Sequence, residues 1–293
     1  MTRLPLSVIS GYLGAGKTTL INRLLAADHG LRLAVLVNDF GAINIDAALL
    51  QRASDDTIEL TNGCVCCTMS GHLFYAIGDL LDRHPRPDHI LVEASGIANP
   101  AKIATLALAE PEMTYGGILT VVDAVNFTAQ IADPRIAGQV RDQVRAGDFI
   151  AISKSARANS PVADALHECG APSWINADDT ASIQALLFAG ATQNPPSPDT
   201  ETAHPAYAQW STQSPRALTR SELDQLLSHR PAGIQRLKGL IPDGAGSAWE
   251  VHIVGQQTGI SRVPHQRRTG LVAIGLAGAF SAAEMDAWWF GQS

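Results

Sequence analysis

The sequence has no excess of basic residues, no long apolar run and few cysteines, and each lack excludes a class of protein. Its 293 residues carry 21 Lys and Arg against 28 Asp and Glu, a net charge of −7. Nucleic acid and anionic membrane are therefore not expected as main partners, because both need a basic face. No apolar run is long enough to span a bilayer. The first residues also lack a signal-peptide pattern, so we expect a cytoplasmic protein.

The four cysteines do not indicate a disulfide scaffold, because three of them crowd into residues 64–67. In a reducing compartment such crowding points to metal or redox chemistry. A hydrophobic fraction of 46% and a charged fraction of 17% describe an ordinary globular protein with enough apolar residues for a core. The length predicts two domains, or one large domain with an appendage.

A glycine-rich stretch near the N-terminus fits the phosphate-binding pattern G-x-x-x-x-G-K-[ST]. A short apolar run precedes it and apolar residues at helical spacing follow it, which predicts a strand, a loop and a helix. In such a unit, backbone N–H groups and the positive end of the helix dipole converge on phosphate oxygens. The predicted nucleotide-binding residues are Gly11, Gly14, Ala15, Gly16, Lys17, Thr18 and Thr19.

Within this loop Lys17 is expected to reach the β- and γ-phosphates, and the Thr18 hydroxyl to ligate Mg²⁺. The alternative is a glycine-rich turn with a chance lysine. The complete pattern in its strand-to-helix setting favours a nucleoside triphosphate site.

Two acidic motifs follow predicted strands, Asn38-Asp39-Phe40-Gly41 and Glu93-Ala94-Ser95-Gly96. In open α/β sheets the carboxyl ends of the strands hold the ligand. Asp39 is expected to face the phosphates, Mg²⁺ or an attacking water, although it could instead cap a turn. Glu93 is expected to hold water on Mg²⁺, and Gly96 to bring backbone close to the γ-phosphate. An incidental strand-end acid is the alternative for Glu93. The predicted catalytic residues are Lys17, Asp39 and Glu93.

The cysteine cluster offers three soft donors, Cys64, Cys66 and Cys67, which suit Zn²⁺ or Cu(I). A fourth ligand would come from Asp39, a histidine such as His72, water or a second chain. Cys64 and Cys67 also form a C-x-x-C pair, so a dithiol redox switch is an alternative. Inert buried cysteines are a third reading.

Strands and helices alternate over residues 1–190, which predicts an α/β domain with a mostly parallel sheet. Residues 191–206 are proline-rich and polar and are predicted to be a linker.

Residues 207–293 are predicted to form a small α+β domain. It has three or four strand-like runs between 233 and 276 and a last helix that starts at Ser281. The aromatic residues 288–290 on that helix are expected in a core or a domain interface.

With these motifs the chain resembles the CobW-type GTPases, P-loop metallochaperones related to the nickel-insertion GTPases of hydrogenase and urease. The resemblance covers nearly the whole chain. Its most specific mark is Gly63-Cys64-Val65-Cys66-Cys67 behind a phosphate loop, and Val121-Val122-Asp123-Ala124 also fits. The resemblance implies GTP hydrolysis coupled to binding a divalent metal, usually Zn²⁺ and in some members cobalt. It also implies that the cysteines hold this metal and that a client metalloprotein receives it.

The chain departs from the family where guanine is selected. The family pattern is N-K-x-D, but residues 153–156 read Ser-Lys-Ser-Ala, so Ala156 replaces the carboxylate that accepts from the guanine base. Lys154 can still cover the base face, and Asn176 lies where a base-contacting loop is expected. GTP remains the expected nucleotide, while discrimination against ATP is left open.

Two further departures concern metal. No acid closely follows the Asp39 motif unless Asp46 serves, and the linker has only His204 instead of a histidine-rich store. The sequence therefore keeps two other readings open, a redox-regulated NTPase and a non-catalytic nucleotide-binding regulator with relaxed base specificity. The client, the physiological metal and the oligomeric state, including a homodimer, are also left open.

Overall fold

A computed structural model describes residues 3–38, 57–60, 69–105, 109–155, 160–188, 207–213, 216–255, 257–264 and 269–291. These residues form two compact units, one up to residue 188 and one from residue 207. The predicted linker, 191–206, lies outside the described residues. The bounds 1–190 and 207–293 therefore stay a prediction.

The first unit is built on a seven-stranded sheet in the order β3-β2-β4-β1-β5-β6-β7. All pairs of neighbouring strands in it are parallel, which confirms the predicted α/β class. The strands are β1 (Leu4–Ser10), β2 (Leu33–Asn38), β3 (Thr57–Leu60), β4 (His89–Glu93), β5 (Met113–Asp123), β6 (Phe149–Ser153) and β7 (Trp174–Asn176). Because the strands are parallel, their carboxyl ends meet at one edge of the sheet.

Helices cover both faces of this sheet. Side chains of β1 alternate between two apolar clusters, with Leu6 and Val8 in one and Ile9 in the other, as the period of a strand requires. The first cluster includes residues of α2 and α3, and the second includes residues of α1 and α7. The helices are α1 (Lys17–Ala26), α2 (Met69–Leu81), α3 (Pro100–Ala104), α4 (Phe127–Ala132), α5 (Ala137–Ala146), α6 (Ser160–Glu168) and α7 (Thr180–Phe188).

The second unit is an antiparallel sheet with two helices, which confirms the predicted α+β class. Both helices begin with a capping box, formed by Thr219 and Glu222 in α8 and by Ser281 and Glu284 in α9. The elements are β8 (Tyr207–Thr212), α8 (Arg220–Ser228), β9 (Ile234–Pro242), β10 (Ser247–Val254), β11 (Gln257–Pro264), β12 (Gly270–Leu276) and α9 (Ala282–Phe290).

The aromatic end of α9 is divided between core and surface. Trp289 is buried in the core of the second unit, while Phe290 is 61% exposed. The expectation of a core or an interface therefore holds for Trp289 and is not met by Phe290 within this unit. In the described part of the chain, no helix combines the length and apolarity that crossing a bilayer requires.

Strand β8 was not predicted from the sequence. Only Trp210 in this strand is buried, and its neighbours are half-exposed, so the strand lacks a clear alternation of apolar and polar residues. It lies at the edge of the sheet and pairs with β12 alone. Such an edge strand is held by its backbone pairing and one aromatic anchor, which a hydrophobic pattern does not reveal.

A buried histidine lies at the start of β4. His89 is 2% exposed, and its Nε2 lies 2.9 Å from Oγ of the fully buried Ser7 on β1. The ring of Phe188 packs edge-on against His89, with 5.1 Å between the centroids. Burial disfavours the charged imidazolium and lowers the pKa of His89 from 6.5 to about 4.

This pKa predicts a loss of stability in acid. Between pH 6.5 and about 4 the unfolded chain binds a proton that the folded His89 does not, so the free energy of unfolding falls as the pH drops through this window. The difference between the two pKa values corresponds to a loss of about 3 kcal/mol in the free energy of unfolding across this window. Urea unfolding at pH 7, 5.5 and 4.5 measures this loss.

His89→Gln removes the titrating group, and its unfolding free energy should depend less on pH than that of the native chain. His29→Gln is the matched control, because His29 contacts the same Phe188 ring but is only half-buried. Equal pH dependence in the native chain and His89→Gln would contradict the assignment.

Candidate functional site

The glycine-rich loop connects β1 directly to α1. Gly11, Gly14 and Gly16 have φ angles of 132°, 73° and 104°, which residues with a Cβ rarely adopt. A Cβ on Gly11 would also lie 2.2 Å from the carbonyl oxygen of Val121 on β5. Helix α1 begins at Lys17 with Gly16 as its N-cap, so the positive end of the helix dipole adjoins the loop. A glycine-rich loop that leads into a helix N-terminus suits an anion such as phosphate, and nucleotide binding here stays a prediction.

Lys17 is 4% exposed and lies across the loop that precedes it. Its Nζ donates hydrogen bonds to the carbonyl oxygens of Gly11, at 2.8 Å, and Tyr12, at 3.4 Å. A buried ammonium group needs such partners. They hold the positive charge beside the loop amides, where a phosphate group would approach.

Thr18 and Glu93, predicted from separate motifs, lie together. The Thr18 hydroxyl donates a hydrogen bond of 2.9 Å to Oε1 of Glu93. Glu93 ends β4, is 3% exposed, and pairs in register with Ile9 of β1. A hydroxyl and a carboxylate oxygen at the mouth of a phosphate loop are the hard donors that Mg²⁺ prefers, so the donor set fits that ion. Thr19, the next residue of α1, is exposed.

Gly96 packs against the backbone of the phosphate loop. A Cβ at this position would lie 2.8 Å from both N and Cα of Leu13. The preceding chain is also tied to β1, because the Ala94 amide donates to the Ile9 carbonyl at 3.0 Å. The segment that follows Glu93 is therefore fitted onto the loop that would hold the phosphates.

Two buried glutamines on α5 contact the same segment, and neither was predicted from the sequence. Gln143 Nε2 donates to the carbonyl oxygens of Gly96, at 3.0 Å, and Ala98, at 3.2 Å. Gln139 Nε2 donates to the Ile97 carbonyl at 2.7 Å. Each glutamine is 1% exposed. The sequence did carry one sign of this role. The two glutamines are four residues apart, so they share a helix face, and that face also carries apolar residues.

The loop after β6 is tied to the phosphate loop and to β5. Ser153 Oγ donates a hydrogen bond of 2.6 Å to the Ala15 carbonyl. Lys154 has a left-handed φ of 60°, and its Nζ lies 2.6 Å from Oδ2 of Asp123. Asp123 is 2% exposed and also accepts from the Asn126 side chain at 2.6 Å. The strand-end acid of β5 therefore fixes the direction of Lys154.

Asn176 lies at the end of β7, beside the Lys154 loop. Its Nδ2 donates to the Ser155 carbonyl at 3.5 Å, and its Oδ1 accepts from the Asp178 amide at 2.8 Å. Arg23 of α1 forms an ion pair with Asp178. The structure thus places Lys154, just after β6, and Asn176, at the end of β7, close together at one edge of the sheet; these are the two residues expected near the base.

Asp39, Cys64, Cys66, Cys67 and Ala156 lie outside the described residues. The cysteine metal site and the role of Asp39 therefore stay predictions. Among the residues that the structure does describe, no group of three or more His, Cys, Asp or Glu side chains is placed to hold a metal ion.

Comparison with known proteins points to one family. A family profile described as "CobW/HypB/UreG, nucleotide-binding domain" matches residues 5–170. A second, "Cobalamin synthesis protein cobW C-terminal domain", matches residues 207–288. Together they cover both units.

Three curated relatives are similar in sequence. Zinc chaperone CobW of Sinorhizobium sp is 41% identical over 137 residues, which cover 43% of this chain and 38% of the relative. Zinc-regulated GTPase metalloprotein activator 1 of Dictyostelium discoideum is 40% identical over 115 residues, covering 35% and 24%. Zinc chaperone YjiA of Escherichia coli (strain K12) is 33% identical over 176 residues, covering 57% and 54%. The chain thus spans about a quarter to about half of the length of these relatives.

Gly96→Ala tests the packing of the loop after β4. The added Cβ would overlap Leu13, so either this loop or the phosphate loop must shift. Affinity for a nucleoside triphosphate should fall about fivefold to 150-fold, as expected if overpacking costs about 1–3 kcal/mol. Fluorescence titration with a labelled triphosphate measures this.

The matched control is Gly78→Ala on α2, where a Cβ would have no atom within 4 Å. It should bind the triphosphate as the native chain does. Native affinity in Gly96→Ala, with the fold intact by circular dichroism, would contradict the role of this contact.

Proposed function

Because the chain belongs to the CobW/HypB/UreG family of nucleotide-binding proteins, we propose that it is a GTPase that binds Zn²⁺ and passes it to a client protein. The observation that carries the GTPase part is the contact between Thr18 and Glu93 beside the glycine loop. The names of the relatives, zinc chaperones and a zinc-regulated GTPase metalloprotein activator, support zinc as the cargo.

In this proposal the loop binds the triphosphate and catalysis proceeds by positioning and charge. The amides of residues 11–18 and the Lys17 ammonium group contact the β- and γ-phosphate oxygens. Thr18 and Glu93 would hold Mg²⁺, which neutralises phosphate charge when bound. Asp39 and Glu93 orient the attacking water, and no covalent intermediate on the protein is needed.

On the base side, Lys154 covers the face of the purine and Asn176 lies at its edge. The ion pair with Asp123 supports this role for Lys154, because it fixes a long side chain that would otherwise lose entropy on binding. Ala156 offers no carboxylate to guanine. We therefore expect GTP to be preferred over ATP by less than in GTPases that keep the complete N-K-x-D pattern.

The metal is proposed to bind to Cys64, Cys66 and Cys67 as thiolates, with Zn²⁺ favoured and cobalt as a second candidate. Strand β3 supports a link between this segment and the nucleotide. It pairs with β2 so that Leu60 lies opposite Asn38, and Val37 of β2 lies opposite Glu93. The chain therefore leaves β3 at the edge of the sheet that carries Glu93 and the phosphate loop.

If the metal binds on the segment that follows β3, loss of the γ-phosphate at the same edge would change the metal site. Loops that contact a γ-phosphate rearrange when it leaves, as in other nucleotide switches. Hydrolysis would then time the release of the metal to the client. The three cysteines leave one ligand position on Zn²⁺ to be filled, and in a homodimer the second copy of the chain would fill it.

Lys17→Ala tests whether this site catalyses hydrolysis. Loss of the ammonium should lower phosphate release at least about a hundredfold, the usual effect of removing one group that stabilises developing charge. The assay uses GTP and ATP in parallel. Lys102→Ala, on the exposed side of α3, is the control and should release phosphate at the native rate. Turnover that is insensitive to Lys17→Ala would leave a non-catalytic regulator as the better reading.

Zinc titration with and without a non-hydrolysable GTP analogue tests the coupling. The two zinc affinities should differ, and zinc must change the affinity for the analogue by the same factor. Equal affinities would exclude coupling.

Replacing Cys64, Cys66 and Cys67 by Ser should abolish tight zinc binding, while Cys169→Ser, at a buried cysteine outside the motif, should not. A Cys64–Cys67 disulfide that forms under mild oxidant even with zinc bound would favour the redox reading.

A further inference from the structure

We propose that Gln143 is a positioning residue for hydrolysis, which acts by fixing the backbone segment Gly96–Ala98 against the phosphate loop. The inference rests on the proposed GTPase activity and goes beyond it, because Gln143 lies on α5 and belongs to none of the nucleotide-binding motifs. Its side chain acts on the loop that follows Glu93.

The contacts hold three consecutive peptide groups. Both glutamine side chains of α5 are 1% exposed and donate into this segment, Gln143 to the carbonyls of Gly96 and Ala98 and Gln139 to the carbonyl of Ile97. Buried carbonyl groups need donors, so this segment depends on the two amides for its conformation.

The helix that supplies these donors is itself anchored to the sheet. Thr120, which is 1% exposed on β5, donates from Oγ1 to the main-chain carbonyl of Gln143 at 2.8 Å. Strand β5 is the neighbour of β1 and approaches Gly11 at Val121. The position of Gln143 is therefore set by the same strands that set the phosphate loop.

The hydrogen bonds from α5 also fix the orientation of the peptide groups in this segment. In a trans peptide the N–H points opposite to the C=O of the same group. Because the Gly96 carbonyl is turned toward α5, the N–H of Ile97 is turned away from it. The Ala98 amide is used within the turn, where it donates to the Ser95 carbonyl at 2.9 Å. Gly96 meanwhile lies against Leu13 of the phosphate loop.

The segment is thus held between α5 and the phosphate loop. It follows Glu93, which contacts Thr18, so a rotation of its peptides would displace the region expected to meet the γ-phosphate. The side chain of Gln143 donates to Gly96 and Ala98, which lie outside residues 11–18, whose amides would hold a diphosphate. Loss of its side chain should therefore impair hydrolysis and leave diphosphate binding intact.

Gln143→Met, similar in size but without N–H groups, tests this. We expect kcat for GTP to fall about ten- to a hundredfold, the effect of a small misplacement of reacting groups. The Kd for GDP should stay within about twofold of the native value, because positioning affects the reaction more than ground-state binding. Gln225→Met, on the exposed side of α8, is the control and should match the native chain in both quantities.

Gln143→Glu adds a readout that a merely structural role would not move. A neutral carboxyl group can donate one hydrogen bond to the Gly96 carbonyl, whereas the ionised group cannot. Burial raises the pKa of a carboxyl group, so the neutral form should persist toward neutral pH. Relative to the native chain at each pH, kcat of this variant should be higher at pH 6 than at pH 8.

The outcomes separate the inference from the proposed function. Native kcat in Gln143→Met would overturn the inference, and so would a parallel loss of kcat and GDP affinity, which would mark Gln143 as structural. If the native chain hydrolyses neither GTP nor ATP, the proposed function fails. The inference about Gln143 is then tested by the affinity for a non-hydrolysable GTP analogue divided by the affinity for GDP. A lower value in Gln143→Met than in the native chain supports the positioning role, and an unchanged value overturns it.

Discussion

The candidate nucleotide site depends on close backbone packing around the carboxyl end of β1. Gly11 leaves no room for a Cβ against Val121 of β5, and Gly96 leaves none against Leu13. These two close contacts join the loops after β1 and β4 to the end of β5, so the three segments pack together. The contacts of Lys17 with Gly11 and of Thr18 with Glu93 lie in or beside these loops.

The polar contacts around these segments form two groups that meet at the phosphate loop. On one side Thr18, Glu93 and the segment Gly96–Ala98 are joined, with α5 behind them. On the other side Ser153 is tied to Ala15, and Lys154 to Asp123. In the proposed function the first group meets the phosphates and the second meets the base. Because the two groups use different residues, we expect phosphate chemistry and base selection to vary separately in this chain.

The phosphate side could be predicted from sequence because short local patterns dictate it. A strand followed by Gly11–Thr18 has few alternative conformations, and Glu93 and Gly96 follow a recognisable strand. Gln139 and Gln143 were missed because their role depends on packing between α5 and a loop more than 40 residues away in sequence. The ion pair of Lys154 with Asp123 spans 31 positions and could not be inferred from spacing. Asp39 and the cysteines remain sequence predictions, because they lie outside the described residues.

We propose that hydrolysis times the release of metal, and a single-turnover experiment can decide whether it does. The zinc- and GTP-loaded protein is started with Mg²⁺, and phosphate and zinc release are followed together with a phosphate sensor and a zinc-binding dye. We expect zinc to appear at the rate of phosphate release, and both rates to fall together in Gln143→Met. Zinc release at one rate with GTP, a non-hydrolysable analogue or no nucleotide would contradict it.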